Sequence, residues 1–319
     1  MSLRAGYVWG LVSAALGATY FCTGSYLVKR VAGVGVREFT LALFAWATLY
    51  GFLATLVTPR SRQTLTVSEH RVLAVLGVLW GVQVALAFHA AQLLDPGSAS
   101  TLFRTSALFT LALAYGVLGE RLTGAQLGAA SLVIAGLGTF LVGGSTGASR
   151  GAFVALASAL VASIYQLAAK RALTSIPPGV LNVYRNAYVC VVFGLVAAAA
   201  GWRPREASWA AHAAIALAAF LGPFLHSIAN LKSIQLLPLI QASLVSQTMP
   251  VLVLAIAYTF LGERPAPVEL AGDALMLAGV VALIISGSSR PSREVASGPA
   301  GPSAAARVGD AVPVGGTDS

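Results

Sequence analysis

Apolar positions along this chain neither alternate nor recur on a single helical face. They run unbroken for about 20 residues at a time, until charges or turn residues interrupt them. Ten such windows can be drawn: 7–28, 39–57, 72–94, 97–118, 123–143, 151–169, 180–200, 209–231, 238–261 and 267–287. A membrane barrel would instead show alternating segments of about 10 residues. In lipid every backbone amide needs a partner within its own segment or in a closed barrel. The pattern therefore predicts an all-α integral membrane protein of ten transmembrane helices. The connections are short, from Lys29-Arg30 to Arg37-Glu38, at Asp95-Pro96, and from Lys170-Arg171 to Pro177-Pro178. With no soluble domain inserted, function falls to the helix bundle. Residues 288–319 turn to Ser, Gly, Pro and Ala and predict a disordered tail. The first window meets the second through Lys29-Arg30 without a clear small-residue cleavage site, so it is expected to be retained.

Composition narrows the partners. Of 319 residues 57% are hydrophobic and 10% charged, where soluble domains carry about 25% charged residues; mean hydropathy is +0.80. The lipid bilayer is the expected surrounding. The net charge of +9 is spread over short clusters between windows rather than gathered on a basic face, which argues against nucleic acid as a partner. Cys22 and Cys190 lie inside apolar windows, where a thiol behaves as a small hydrophobe. One nucleophile-elbow lookalike, Gly143-Gly144-Ser145-Thr146-Gly147, falls in the linker between halves, without the strand and helix that chemistry needs. There is no HExxH, no cysteine ligand cluster and no GxxxxGK, so neither an enzyme nor a metal or cofactor site is predicted.

Shifting the sequence by 143 residues aligns the fourth window with the ninth. Fourteen of the thirty positions from 92 to 121 are identical to their counterparts from 235 to 264, including Gln92-Leu93-Leu94, Ala99-Ser100, Thr105, Ala114-Tyr115 and Leu118-Gly119-Glu120-Arg121. Gly136 with Gly279 extends the match. The chain is thus a duplicated five-helix unit, 7–143 and 151–287. Five is odd, so the second copy enters the membrane from the opposite side and the repeats are inverted, a transporter signature.

The paired Leu-Gly-Glu-Arg motifs, each followed by a glycine-bearing window, and the five-plus-five organisation resemble the drug/metabolite transporter superfamily, in its ten-helix branch with two EamA domains. The resemblance covers roughly residues 7 to 287. That family often has a proline midway along the fourth and ninth helices: Pro250 fits, while Ala107 stands at the first-half position. It tends to place an arginine early in the second and seventh: Arg185 fits, while the second window has none after Arg37. The resemblance implies a secondary transporter that exports small metabolites, amino acids or toxic compounds, driven by a proton or substrate gradient. Its path would be lined mainly by the third, fourth, eighth and ninth helices. With the N-terminus inside, Lys and Arg number ten on the cytoplasmic side against seven outside, leaving out Arg307 in the tail. Both termini are therefore expected in the cytoplasm of a cell whose inner (plasma) membrane holds the protein.

Polar groups within the windows are the candidate site. Arg104 lies seven residues past Gly97, about 10 Å deep at 1.5 Å per residue. Facing lipid there would cost it about 2.5–3.5 kcal/mol. Two readings stand: it holds an anionic group of a small-molecule substrate, or it snorkels or pairs structurally. Ser100, Arg104, Leu111 and Tyr115 share a helical face by spacing, and the second copy presents Ser243, Gln247, Leu254 and Tyr258. Gln83 aligns with His226, which either titrates or is a hydrogen-bonded core histidine. Asp273, the only carboxylate in the apolar part of a window, is a proton carrier or a structural partner. Trp9, Tyr20, Trp46, Trp80 and Tyr165 either stack on a flat substrate or anchor at the interface. Gly124 and Gly128 form a small-xxx-small surface suited to helix contact or a homodimer. The reading from another class is a non-transporting membrane scaffold or sensor.

Overall fold

A computed structural model describes residues 3–31, 33–57, 65–118, 124–143, 148–203, 207–262 and 267–287. The predicted tail at 288–319, Gly119-Glu120-Arg121 and Glu263-Arg264 of the two Leu-Gly-Glu-Arg motifs, and the 144–147 linker lie outside the described residues. Every described element is helical. The first half holds α1 (Leu3–Arg30), α2 (Val36–Val57), α3 (Val67–Leu93), α4 (Pro96–Leu102), a 3-10 turn (Phe103–Thr105), α5 (Ser106–Leu118) and α6 (Gly124–Gly143). The second holds α7 (Ala148–Ala172), α8 (Pro178–Ala199), α9 (Trp209–Ala219), a π-helical stretch (Phe220–His226), α10 (Ser227–Leu236), α11 (Leu239–Ser246), α12 (Thr248–Ile256), a second π stretch (Ala257–Leu261) and α13 (Pro267–Gly287).

Local chemistry sets these boundaries. Thr66 caps α3 in a reciprocal box: its Oγ1 accepts from Glu69 N at 3.3 Å while Glu69 Oε2 accepts from Thr66 N at 2.8 Å. Ser208 Oγ accepts from Ala211 N to open α9. Pro96 and Pro178 start α4 and α8 at the first turn, where a missing N–H is harmless. Gly262, at φ 70°, ends the second π stretch in the left-handed conformation.

Among the described residues seven helical segments are long and apolar enough to cross a membrane: Leu3–Arg30, Val36–Val57, Val67–Leu93, Arg150–Ala172, Pro178–Ala199, Trp209–Leu236 and Leu239–Leu261. The other three windows are helical but do not qualify as whole spans. The fourth is split by the 3-10 turn, and within α6 and α13 the apolar helices are the shorter Leu127–Thr139 and Leu270–Gly279. The chain is therefore a multi-pass membrane protein.

Packing respects the 143-residue offset. α3 packs on α7 as α1 packs on α10, α5 on α7 as α12 on α1, and α3 on α8 as α2 on α9, while α2–α8 and α6–α13 pair with their own counterparts. The dominant contacts all cross between halves, so one continuous core runs through both. The ends also correspond. At Gly6 of α1 an added Cβ would sit 2.7 Å from Leu237; at Gly151 of α7 it would sit 2.5 Å from Leu94. Lys170, closing α7, donates to the carbonyls of Ile234 (2.6 Å), Leu237 (2.7 Å) and Gln235 (3.3 Å). Lys29, closing α1, donates to Asp95 at 3.2 Å, an exposed pair worth about 0–1 kcal/mol. The start of α1 and the end of α7 thus meet at one end of the bundle, around Leu237, and the end of α1 and the start of α7 at the other, around Leu94 and Asp95.

A Cβ added at Gly124 or Gly128 would meet nothing within 4 Å among the described residues. The close approach of α6 and α13 runs through Gly279 instead, where a Cβ would lie 2.7 Å from Ala129 O and 2.9 Å from Val133 N. Backbone atoms cannot rotate away, so Gly279→Ala is expected to lower the thermal stability of purified protein by the equivalent of about 1–3 kcal/mol. Gly138→Ala, in open space, serves as the neutral control in the same melting experiment.

Candidate functional site

The fourth and ninth predicted helices are both interrupted, at the same place in the repeat. The 3-10 turn Phe103–Thr105 separates α4 from α5, and Gln247 separates α11 from α12. Arg104 and Gln247 are counterparts. An interrupted helix leaves carbonyls without amide partners, and neighbouring hydroxyls take them up by the same bond in each half: Thr105 Oγ1 donates to Leu102 O at 2.7 Å, Thr248 Oγ1 to Val245 O at 2.8 Å. Ser163 Oγ on α7 donates to Ser106 O at 2.9 Å. The two breaks touch directly, since Gln247 Nε2 donates to Ser106 Oγ at 3.2 Å.

A cavity of about 140 Å³ opens beside this junction. Of the expected residues, Gln83, Ser100, His226 and Gln247 line it. Tyr20, Trp80 and Tyr165 also line it, whereas Trp9 and Trp46 do not; Trp9 stacks under Lys232 Nζ, 4.0 Å from its ring centre. The first and sixth predicted helices therefore contribute walls that the family resemblance did not assign. Among the described residues no Asp, Glu, Lys or Arg side chain lines the cavity.

Other expected residues sit elsewhere. Arg104 is 1% exposed and Ser243 2%, so both are inside the bundle, but neither lines the cavity. Tyr115 and Tyr258 lie on the outer surface, 59% and 61% exposed. The expectation of one stripe assumed an uninterrupted helix. Three residues turned at about 120° each instead of about 100° rotate everything below the break, so Leu111 packs with Ala129 and Val133 of α6 and Tyr115 faces outward. Asp273 is in α13, and its side chain lies outside the described residues.

His226 closes the first π stretch. Its Nδ1 lies 2.7 Å from Ser13 O and 3.0 Å from Ser13 Oγ. A carbonyl can only accept, so the neutral ring carries its proton on Nδ1 and keeps the Nε2 lone pair. Tyr20 stacks on the imidazole, centres 6.4 Å apart. Pro223 within the same π stretch cannot donate, and two carbonyls there accept from α8: Pro223 O from Asn186 Nδ2 at 3.1 Å and Phe224 O from Asn182 Nδ2 at 3.4 Å.

Those asparagines also frame the residue that sequence reasoning left out of the site. Arg185 is 1% exposed. Its Nη2 donates to Asn182 Oδ1 at 2.5 Å and Asn186 Oδ1 at 3.3 Å, and its Nη1 to the Tyr165 hydroxyl. The guanidinium lies 4.4 Å from the Trp80 ring centre and 5.5 Å from that of Tyr165, a cation–π arrangement worth about 2 kcal/mol when desolvated. The spacing Asn182, Arg185, Asn186 inside an apolar window carried the signal, because three polar groups on one helical face must turn inward.

The EamA-like transporter family model matches residues 4–142 and 149–285. A protein of Streptantibioticus cattleyicolor described as a probable terminal-alkyne amino-acid exporter is 30% identical over 189 residues, 58% of this chain. The match spans 63% of that relative, under two thirds of its length. One solved crystal structure superposes with a TM-score of 0.66 at 18% identity, covering 89% of this chain and 98% of that one. That likeness is one of fold.

In a background with Cys22 and Cys190 replaced by alanine, Gln83→Cys is expected to react with a water-soluble, membrane-impermeant thiol reagent, and Tyr115→Cys to resist it. Mass spectrometry of the labelled protein reads the outcome. The reverse pattern would put the tyrosine stripe, not the cavity, in the aqueous path.

Proposed function

The chain belongs to the EamA-like transporter family, and from that premise we propose that it is a secondary active exporter of small metabolites, amino acids or drug-like compounds, working by alternating access. The observation that carries this reading is the pair of helix breaks at equivalent positions, hydrogen-bonded to each other from Gln247 to Ser106 beside a cavity. Interrupted helices in corresponding positions of two repeats are the backbone arrangement by which many transporters build a site near the midplane. The ends of α1 and α7 meeting head to tail support an inverted relation of two five-helix units, ten crossings in all. Such halves rock around a fixed site, opening it to one side and then the other. The similar protein described as a probable terminal-alkyne amino-acid exporter supports a cargo of that size.

In this reading Gln83, Ser100, His226 and Gln247 touch cargo, and Thr105 and Thr248 hold the breaks in shape. The Nε2 lone pair of His226 is the proton acceptor that couples flux to a proton gradient. Both termini are cytoplasmic, in the inner membrane. The open face at Gly124 and Gly128 is the surface for a homodimer.

Purified protein in proteoliposomes tests the proposal. Against a panel of amino acids and small drugs, wild type is expected to move at least one compound, and Gln247→Ala to slow it roughly tenfold, the equivalent of about 1.4 kcal/mol. His226→Asn is expected to keep downhill flux but lose accumulation driven by an imposed pH gradient. Absence of flux across the panel would favour a membrane scaffold or sensor.

A further inference from the structure

Arg185 has an unusual set of partners for a cation this deeply enclosed. A guanidinium does not give up its proton inside a protein, so its charge has to be answered by something. Among the described residues the one ion pair is Lys29 with Asp95 at the end of the bundle. Among the described residues the groups that bond or stack on Arg185 are neutral: Asn182, Asn186, the Tyr165 hydroxyl and the rings of Trp80 and Tyr165. Its Nε has no hydrogen-bond partner among the described residues. Neutral acceptors orient the charge and do not cancel it.

Two of those neighbours face the cavity. Tyr165 accepts from Arg185 with its hydroxyl oxygen and keeps its own proton to donate, and a hydroxyl polarised by a cation is a stronger donor. Trp80, 7% exposed, has a buried indole Nε1 with no acceptor among the described residues. An indole N–H can only donate, and a buried donor without an acceptor calls for one from a ligand. Two donors under one uncancelled positive charge are the chemistry of a carboxylate subsite. Gln83, Gln166 and Gln247 of the same lining carry buried amide oxygens that also lack donors among the described residues.

The geometry points to a carboxylate-binding subsite formed by Trp80 and Tyr165 and positioned by Arg185, so that the cargo is a small carboxylic acid carried as its anion, with hydroxyl or amino donors that meet the amide oxygens. This rests on the transporter reading for the word cargo; the subsite itself rests on the buried donors. Arg185 acts through Tyr165 and Trp80, since it does not itself line the cavity.

The test is a matched pair of probes, mandelate and mandelamide, which share a hydroxyl and a ring and differ in the carboxylate. Binding is read as the ligand-induced rise in melting temperature of the full chain in detergent. Wild type is expected to prefer mandelate by about tenfold, as for hydrogen bonds to a charged group. Arg185→Gln is expected to erase the preference by weakening mandelate more than mandelamide, and Arg185→Lys to restore much of it. Trp80→Phe and Tyr165→Phe, which keep the rings, are each expected to reduce it and decide the matter if Arg185→Gln does not fold. Equal binding of the two probes, no binding of mandelate up to its solubility, or a preference intact in every variant would overturn the subsite. A mandelate preference in a protein that moves nothing in vesicles would leave the subsite standing and remove the exporter. Flux of other compounds without the preference would do the opposite.

Discussion

A membrane leaves no water for an unpaired backbone group, so each interruption of a helix inside it must be answered by a side chain or hidden against another helix. This chain interrupts two helices at one repeat position and answers both with the same threonine bond, Thr105 to Leu102 and Thr248 to Val245. The breaks are tolerated because they lie against each other and against Ser163 of α7. Pro223 in the first π stretch repeats the logic, its neighbourhood held by Asn182 and Asn186.

The same two asparagines serve the backbone and the charge. Their Nδ2 groups donate to the π stretch while their Oδ1 atoms accept from Arg185. A change in the π stretch would therefore be felt at the guanidinium, and through Tyr165 and Trp80 at the cavity wall. Gly222, where an added Cβ would run into the Tyr20 ring, ties that stretch to α1 as well. The eighth predicted helix thus connects both halves to one small volume, in keeping with contacts that run mainly between halves rather than within them.

Long apolar runs made the class of the protein legible, because a helix in lipid needs only length and hydrophobicity to be recognised. The repeat was legible from identities such as Gln92-Leu93-Leu94 with Gln235-Leu236-Leu237. Within the site, Gln83, Ser100, His226 and Gln247 were legible as polar residues in apolar surroundings, and they come together at the cavity. Tyr115 and Tyr258 were assigned to it by a spacing rule that holds only while the helix is continuous, and the local turn at 103–105 has no strong sequence signature. Arg104 is legible as the one charged residue of its window; Arg185 is legible only as a motif match, because the neighbours that give it a role belong to other helices.

Hydropathy and internal identity by themselves determined a duplicated helical membrane protein with polar residues hidden in its spans, since both are properties of a residue and its near neighbours. Which cation stands behind the cavity, which aromatic rings form its walls and where two helices break against each other were decided by tertiary structure alone. Those depend on distances between α1, α3, α7 and α8, residues far apart in the chain. A sequence read span by span carries depth and polarity, and the direction each polar group faces is fixed only when the helices pack.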